Sequence, residues 1–132
     1  MISMKQRIEE AVKRKKCGYN CAQAVACTYC DFAGVDEETM RHISQAFGVG
    51  MGTLEGNCGA ITGAGIVLGM ANKEQRKTFQ DIRTIMTEFK ERNGSVTCKV
   101  LKGVENGVVL RECNDCVRGA AEFLEKQLEK DE

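Results

Sequence analysis

Apolar residues recur along most of this chain at intervals of three and four, which is the spacing of one buried face of an α-helix. The segment 73–92 shows the pattern most clearly. Its predicted inward face consists of Phe79, Ile82, Ile85, Met86 and Phe89. The same spacing predicts a first helix over 3–16, a second from Cys21 to about Cys30, and a last helix over 113–129.

Residues with strong preferences for helix ends mark the boundaries between these segments. Asn20 is a good N-cap for the helix beginning at Cys21, and Asp36 is a good N-cap for a third helix. Asn93-Gly94 stops the segment 73–92, and another helix is expected to begin near Asn57-Cys58. Residues 104–112 are compatible with a loop or a small hairpin. We therefore expect an all-α, single-domain helical bundle over 1–132, with four to six helices and a glycine-rich connection at 48–52.

The charge balance argues against a nucleic-acid partner. The chain has 132 residues, with 19 basic and 19 acidic side chains and a net charge of zero. Broad binding to nucleic acid needs a basic face that replaces counterions. The basic run 13–16 is better explained as the solvated C-terminal end of the first helix, where the helix dipole favours cations.

Neither a signal peptide nor a membrane span is visible. The start, MISMKQRIEE, has no apolar h-region, and the longest apolar stretch, 58–70, is too short and too rich in glycine to cross a bilayer. We therefore expect a cytoplasmic protein without membrane insertion. In a reducing cytoplasm its eight cysteines are better suited to metal binding or redox chemistry than to static disulfides.

Four cysteines stand at or just inside predicted helix N-termini. They are Cys21, Cys58, Cys98 and Cys113. The free amides and the dipole at a helix start favour an anion, so they should lower a thiol pKa and promote the thiolate. A single buried cysteine is most simply a small apolar residue, but four at such positions favour a function.

Two pairs of cysteines have the CxxC spacing of zinc or redox sites, namely Cys27 with Cys30 and Cys113 with Cys116. Neither pair follows a predicted strand, as a thioredoxin-like motif would. Neither is followed by histidine, which excludes covalent c-type haem by pattern. We interpret Cys27 and Cys30 as packing residues of the second helix.

Other reactive or binding motifs do not assemble. The glycines at 48, 50 and 52 do not match GxGxxG, and no strand precedes them, so a dinucleotide site is not expected. The lone histidine, His42, has polar neighbours and fits a surface position. Gly59 and Gly63 place small residues four apart on one helix, which predicts close helix packing.

Several short segments, taken in order, resemble the C_GCAxxG_C_C family. They are NCAQAV (20–25), FGVGMG (47–52), CGAITG (58–63), GSVTC (94–98) and the final Cys113 ahead of an amphipathic helix. Members of that family are described as redox-active proteins, and related sequence occurs in split-Soret cytochromes c. This chain lacks the haem motif of those cytochromes. The resemblance implies that Cys21, Cys58, Cys98 and Cys113 are the family cysteines, with Cys116 as an alternative to Cys113.

Three functions are compatible with four such thiols. The first is a cysteine-ligated metal centre, most simply a [2Fe–2S] or [4Fe–4S] iron–sulfur cluster for electron transfer, ligated by Cys21, Cys58, Cys98 and Cys113. The second is a thiol–disulfide oxidoreductase that uses the same cysteines. The third is a structural zinc site with four thiolate ligands. The first two need a redox partner protein, which the sequence does not identify, and a homo-oligomer stays open.

Overall fold

The computed structural model describes residues 4–129, with side chains from residue 6 onward, and confirms the predicted all-α architecture. Eight α-helices and no strand occur among these residues. Their bounds are α1 Met4–Lys16, α2 Cys21–Thr28, α3 Cys30–Ala33, α4 Glu37–Ser44, α5 Gly59–Asn72, α6 Gln75–Asn93, α7 Cys98–Lys102 and α8 Cys113–Glu129. A short left-handed turn over Gly48–Met51 connects α4 to α5. The predicted start of the first helix at residue 3 lies outside the described residues.

The predicted helix caps are present. The Asn20 side chain accepts a hydrogen bond from the Gln23 amide, and the Gln23 side chain accepts one from the Asn20 amide, which completes a capping box. The Asp36 carboxylate accepts from the Thr39 amide at the start of α4. Gly94 adopts the left-handed conformation that ends α6.

The helix count exceeds the expected four to six because two single-turn helices were not predicted. Tyr29 interrupts the predicted second helix, so that Cys30 begins the separate α3. The turn expected around Cys98 is the five-residue helix α7. In the described structure, residues 104–112 contain turns and bends but no strand, which decides for a loop over a hairpin.

Helix α2 packs closely against α5 at the centre of the structure. A Cβ atom at Gly63 would lie 2.5 Å from the carbonyl oxygen of Ala22 in α2, and one at Gly59 would lie 3.1 Å from the amide nitrogen of the same residue. Only glycine permits so close an approach of the two backbones. The close packing predicted from the spacing of Gly59 and Gly63 is therefore confirmed.

One predicted core position is wrong. Phe79 is 55% exposed, whereas Ile85 and Phe89 of the same helix are fully buried. At about 100° per residue, Phe79 lies roughly 120° around α6 from Ile85, at the margin of the buried face. No helix within residues 4–129 has the length and apolar character needed to cross a bilayer.

Candidate functional site

Five cysteines from four separate parts of the chain line one cavity of about 240 Å³. They are Cys21, Cys58, Cys98, Cys113 and Cys116. The structure thus brings together the four cysteines singled out in the sequence and adds a fifth. Their role as metal ligands stays a prediction. All eight cysteines of the chain are free thiols.

Each of the four predicted cysteines stands at the start of a helix. Cys21, Cys98 and Cys113 are the first residues of α2, α7 and α8, and Cys58 is the N-cap residue of α5. These helix starts meet at the cavity, so the four thiols approach it from four helices. The sequence-based placement at helix N-termini is confirmed.

Cys21 is held in place by the capping of α2. The Asn20 side chain caps that helix and also donates through Nδ2 to the carbonyl of Gln45, at 3.0 Å. Gly48 packs directly on the same side chain, because a Cβ atom at position 48 would overlap Asn20. The residue before Cys21 is therefore fixed by contacts from both the cap and the glycine-rich turn.

Cys58 and Cys98 are positioned together by a short antiparallel bridge between Asn57 and Thr97. The Cys58 amide donates to the carbonyl of Val96 at 2.7 Å, and the Cys98 amide donates to the carbonyl of Gly56 at 3.0 Å. These hydrogen bonds hold two helix starts side by side. They bring two cysteines that are distant in sequence to one wall of the cavity.

The glycine-rich turn packs against this bridge in an uncommon conformation. Val49, Gly50 and Met51 all have left-handed φ angles, of 54°, 55° and 62°. A β-branched residue such as Val49 rarely adopts this region, and Val49 lines the cavity. A Cβ atom at Gly50 would lie only 2.6 Å from the Cβ of Cys98. Gly50 is therefore needed both for its φ angle and for the space beside Cys98.

Helix α8 contributes two thiols that have different partners. Cys113 and Cys116 lie three residues apart, which places them on neighbouring turns of one helix face. The Cys113 thiol lies beside that of Cys21, and the Cys116 thiol lies beside that of Cys58. Cys116 Sγ also donates to the carbonyl oxygen of Arg111, at 4.0 Å. Both Cys113 and Cys116 therefore reach the cavity, and the choice of Cys113 as the fourth ligand stays a prediction.

The expected lowering of the thiol pKa occurs at Cys113 alone among the four helix-start cysteines. The hydrogen bond from Cys21 lowers the Cys113 pKa to about 5, against the opposing effect of burial, and Lys102 and Lys15 add to the lowering. The same hydrogen bond, followed by burial, raises the pKa of Cys21.

At the other two positions the pKa moves opposite to the prediction. The hydrogen bond with Cys116, and then burial, raise the pKa of Cys58. Burial raises the pKa of Cys98. The prediction was therefore wrong at Cys21, Cys58 and Cys98, because desolvation and the sharing of protons between thiols outweigh the field of a helix start.

Three cations also line the cavity, namely Lys15, Lys102 and Arg111. Among the described residues, no Asp or Glu lines it. Burial disfavours the charge of Lys102, but the neighbouring Cys113 and Cys98 thiols raise its pKa overall. Lys15 belongs to the basic run that we interpreted as the solvated end of the first helix. The structure shows that Lys15 also lines the cavity. The cavity is thus suited to a group that carries negative charge.

The thiols surround an open space and do not converge on a point. Within residues 4–129, no three Cys, His, Asp or Glu side chains are arranged to hold one metal ion. A cavity of about 150 Å³ already accommodates a benzene-sized molecule. The cavity is therefore large enough for a bound group of several atoms.

The remaining cysteines lie away from the cavity. Cys17 is exposed, and Cys27 is buried with its thiol 3.7 Å from the carbonyl of Glu37, to which it donates. Burial raises the Cys27 pKa to about 11. Cys30 packs against the hydrophobic core. These positions support the interpretation of Cys27 and Cys30 as packing residues, and His42 is exposed as expected.

Lys15, Lys102 and Arg111 are site residues that the sequence did not single out, and Cys116 was expected there only as an alternative to Cys113. The spacing of Cys113 and Cys116 was a usable signal, since residues three apart share a helix face. No pattern pointed to Lys102 or Arg111, because their approach to the thiols depends on how the loop after α7 folds back.

Comparison with known proteins agrees with the cysteine pattern. A family model described as "Putative redox-active protein (C_GCAxxG_C_C)" matches residues 19–127. No curated protein and no solved structure matches the chain. The matched region contains every cysteine that lines the cavity and extends over most of the chain. The chain therefore belongs to the C_GCAxxG_C_C family of redox-active proteins.

Proposed function

We propose that this protein is a cytoplasmic electron carrier that holds an iron–sulfur cluster through the thiolates of Cys21, Cys58, Cys98 and Cys113. The observation that carries the proposal is the meeting of these four helix-start thiols at one cavity. When bound, such a cluster supplies reversible electron transfer, with a potential set by its charge, hydrogen bonds and exposure. A redox partner protein would complete the function.

The donor set fits the proposed cluster. Four thiolates are the usual ligands of both [2Fe–2S] and [4Fe–4S] clusters. Several thiolates gathered in a partly buried site repel one another, so a cation must offset their charge. Lys15 and Lys102 offset part of it from the cavity wall, and backbone amides at the helix starts contribute in the same direction.

A zinc site receives less support than the cluster. Structural zinc is held by four ligands that converge tetrahedrally on one ion. Side chains in that arrangement do not occur within the described part of the chain. A cavity of about 240 Å³ lined by these thiols therefore favours a multinuclear group.

Thiol–disulfide exchange is a second candidate function, and the contact between Cys21 and Cys113 favours it specifically. The Cys113 thiolate, beside Lys102, would attack one sulfur of a substrate disulfide and release one substrate thiol. Cys21 would then attack the Cys113 sulfur, forming the Cys21–Cys113 disulfide and releasing the second substrate thiol. The substrate gains the two electrons that the two cysteines lose.

Anaerobic purification separates the two candidates. The full chain, expressed and purified without oxygen, should be coloured, with a charge-transfer band in the visible spectrum and with iron and acid-labile sulfide in equal amounts. Zinc is measured in the same samples. Colourless, iron-free protein whose thiols cycle reversibly with a dithiol reductant would contradict the cluster and support exchange. Zinc alone would contradict both.

A further inference from the structure

Four of the five thiols that line the cavity form two pairs at different depths. In the outer pair, Cys113 is half-buried and contacts Cys21. In the inner pair, Cys58 and Cys116 are 4% and 2% exposed and contact each other. Cys113 and Cys116 connect the two pairs, because they lie on neighbouring turns of α8.

We propose that Cys58 and Cys116 are a second, internal dithiol, which receives oxidising equivalents from Cys113 through exchange along α8. The oxidant is a low-molecular-weight disulfide. Cys58 and Cys116 are too buried for such a molecule to reach, whereas Cys113 is partly exposed and lines the cavity beside Lys102. The external disulfide therefore meets Cys113 first.

Three exchange steps complete the transfer, and each conserves one disulfide bond. The Cys113 sulfur attacks the external disulfide, forming a mixed disulfide and releasing one small thiol. The Cys116 sulfur attacks Cys113, forming a Cys113–Cys116 bond and releasing the second small thiol. The Cys58 sulfur then attacks Cys116, forming the Cys58–Cys116 bond and releasing Cys113.

Over the three exchange steps, one external disulfide is reduced to two thiols. Cys58 and Cys116 together lose two electrons and two protons, which the two small thiols gain. If Cys21 resolves Cys113 first, Cys116 can still attack Cys113 and release Cys21, so the same product forms. Cys113 is therefore required for the relay, and Cys21 is not.

This inference rests on the second candidate function, because it needs exchange at Cys113. It extends that function from one dithiol to two. It also connects to the proposed cluster, since Cys58 is a proposed ligand and a Cys58–Cys116 disulfide would withdraw it. The experiment below uses metal-free protein, so its outcome does not depend on whether a cluster is bound.

The test maps disulfides in the full chain after reduction, removal of metal with a chelator and incubation with oxidised glutathione. All variants carry Cys17→Ser, because Cys17 is exposed and would react by itself. A protease that cleaves before Asp115 separates Cys113 from Cys116, and mass spectrometry then identifies the linked peptides. Variants with Cys113→Ser, Cys21→Ser and Cys116→Ser are compared with the parent, after circular dichroism confirms that each is helical.

The parent and the Cys21→Ser variant should form the Cys58–Cys116 link, and Cys116→Ser should lose it. Cys113→Ser should form it at least about tenfold more slowly with oxidised glutathione, because the entry thiol is gone. Diamide, a small oxidant that enters the cavity, should restore the link in Cys113→Ser, which excludes misfolding as the cause.

Three results would overturn the inference. A Cys58–Cys116 link that forms in Cys113→Ser at the parental rate would remove Cys113 as the entry point. A parent that forms only the Cys21–Cys113 link would remove the inner pair and leave the second candidate function intact. A parent in which oxidised glutathione forms no link would contradict both.

Discussion

Asn57 and Thr97 form an antiparallel bridge, and each is followed directly by a cysteine of the cavity. Two reciprocal backbone hydrogen bonds, from Cys58 to Val96 and from Cys98 to Gly56, flank the bridge. The bridge therefore positions two thiols through backbone contacts alone. A change that disturbs it should act on the site without removing any side chain that bears chemistry.

Replacing Gly50 by alanine should disturb this bridge. The new Cβ would lie 2.6 Å from the Cβ of Cys98, and the alanine would have to adopt a φ of +55°. We expect a loss of about 1–3 kcal/mol in the free energy of unfolding from the overlap, in addition to the cost of the left-handed conformation. Urea denaturation measures the loss, and iron content after anaerobic purification should fall with it.

Gly52→Ala is the matched control for Gly50→Ala. Gly52 belongs to the same turn and has a φ of +77°, but a Cβ there meets nothing within 4 Å. Gly52→Ala should therefore lower the free energy of unfolding only by the cost of the left-handed conformation, about 1–2 kcal/mol. Equal losses of stability and of iron in the two variants would show that the contact with Cys98 is unimportant.

The contact between α2 and α5 provides a second pair of matched variants, whose changes in the free energy of unfolding should have opposite signs. Gly63→Ala places a Cβ 2.5 Å from the carbonyl oxygen of Ala22 and should destabilise the fold by about 1–3 kcal/mol. Gly65→Ala, on the same helix, meets Ile82 at an ordinary 3.5 Å and should stabilise it by about 0.5–1 kcal/mol. Denaturation midpoints that move in the same direction would contradict this description of the helix contact.

Much of the fold could be predicted from the sequence because it depends on local signals. Asn20 and Asp36 cap helices through hydrogen bonds to residues three positions later, and Gly94 ends a helix through its own φ angle. Each signal and its effect lie within one turn. The inward face of α6 was predicted less well, because the exposure of Phe79 depends on which neighbours the helix meets.

The sequence predicts which cysteines form the site, but it does not predict their pKa shifts. The placement of Cys21 and Cys113 at helix starts follows from local pattern. Their opposite pKa shifts do not, since these arise from a contact between residues distant in sequence. Cys116 is expected from the sequence only as an alternative to Cys113, because its contact with Cys58 forms only when α8 packs against α5.

The lowered pKa of Cys113 predicts an unusual pH dependence of its reactivity. In metal-free, reduced protein, alkylation of Cys113 by iodoacetamide should rise with pH through a midpoint near 5, because the thiolate is the reactive form. Cys21→Ser removes the hydrogen bond and should move the midpoint upward, and Lys102→Met should move it upward by less. A wild-type midpoint at the ordinary thiol value of about 8.5 would contradict the pairing with Cys21.

The proposed function requires that the cysteines of the cavity hold an iron–sulfur cluster. Iron and acid-labile sulfide per chain, measured in anaerobically purified protein, test it most directly. Wild-type protein and the Cys27→Ser variant should contain both elements in equal amounts, since Cys27 is buried away from the cavity. Cys58→Ser, at an equally buried position that lines the cavity, should lose most of both. Iron retained by Cys58→Ser at the wild-type level, or absent from wild type, would contradict the claim.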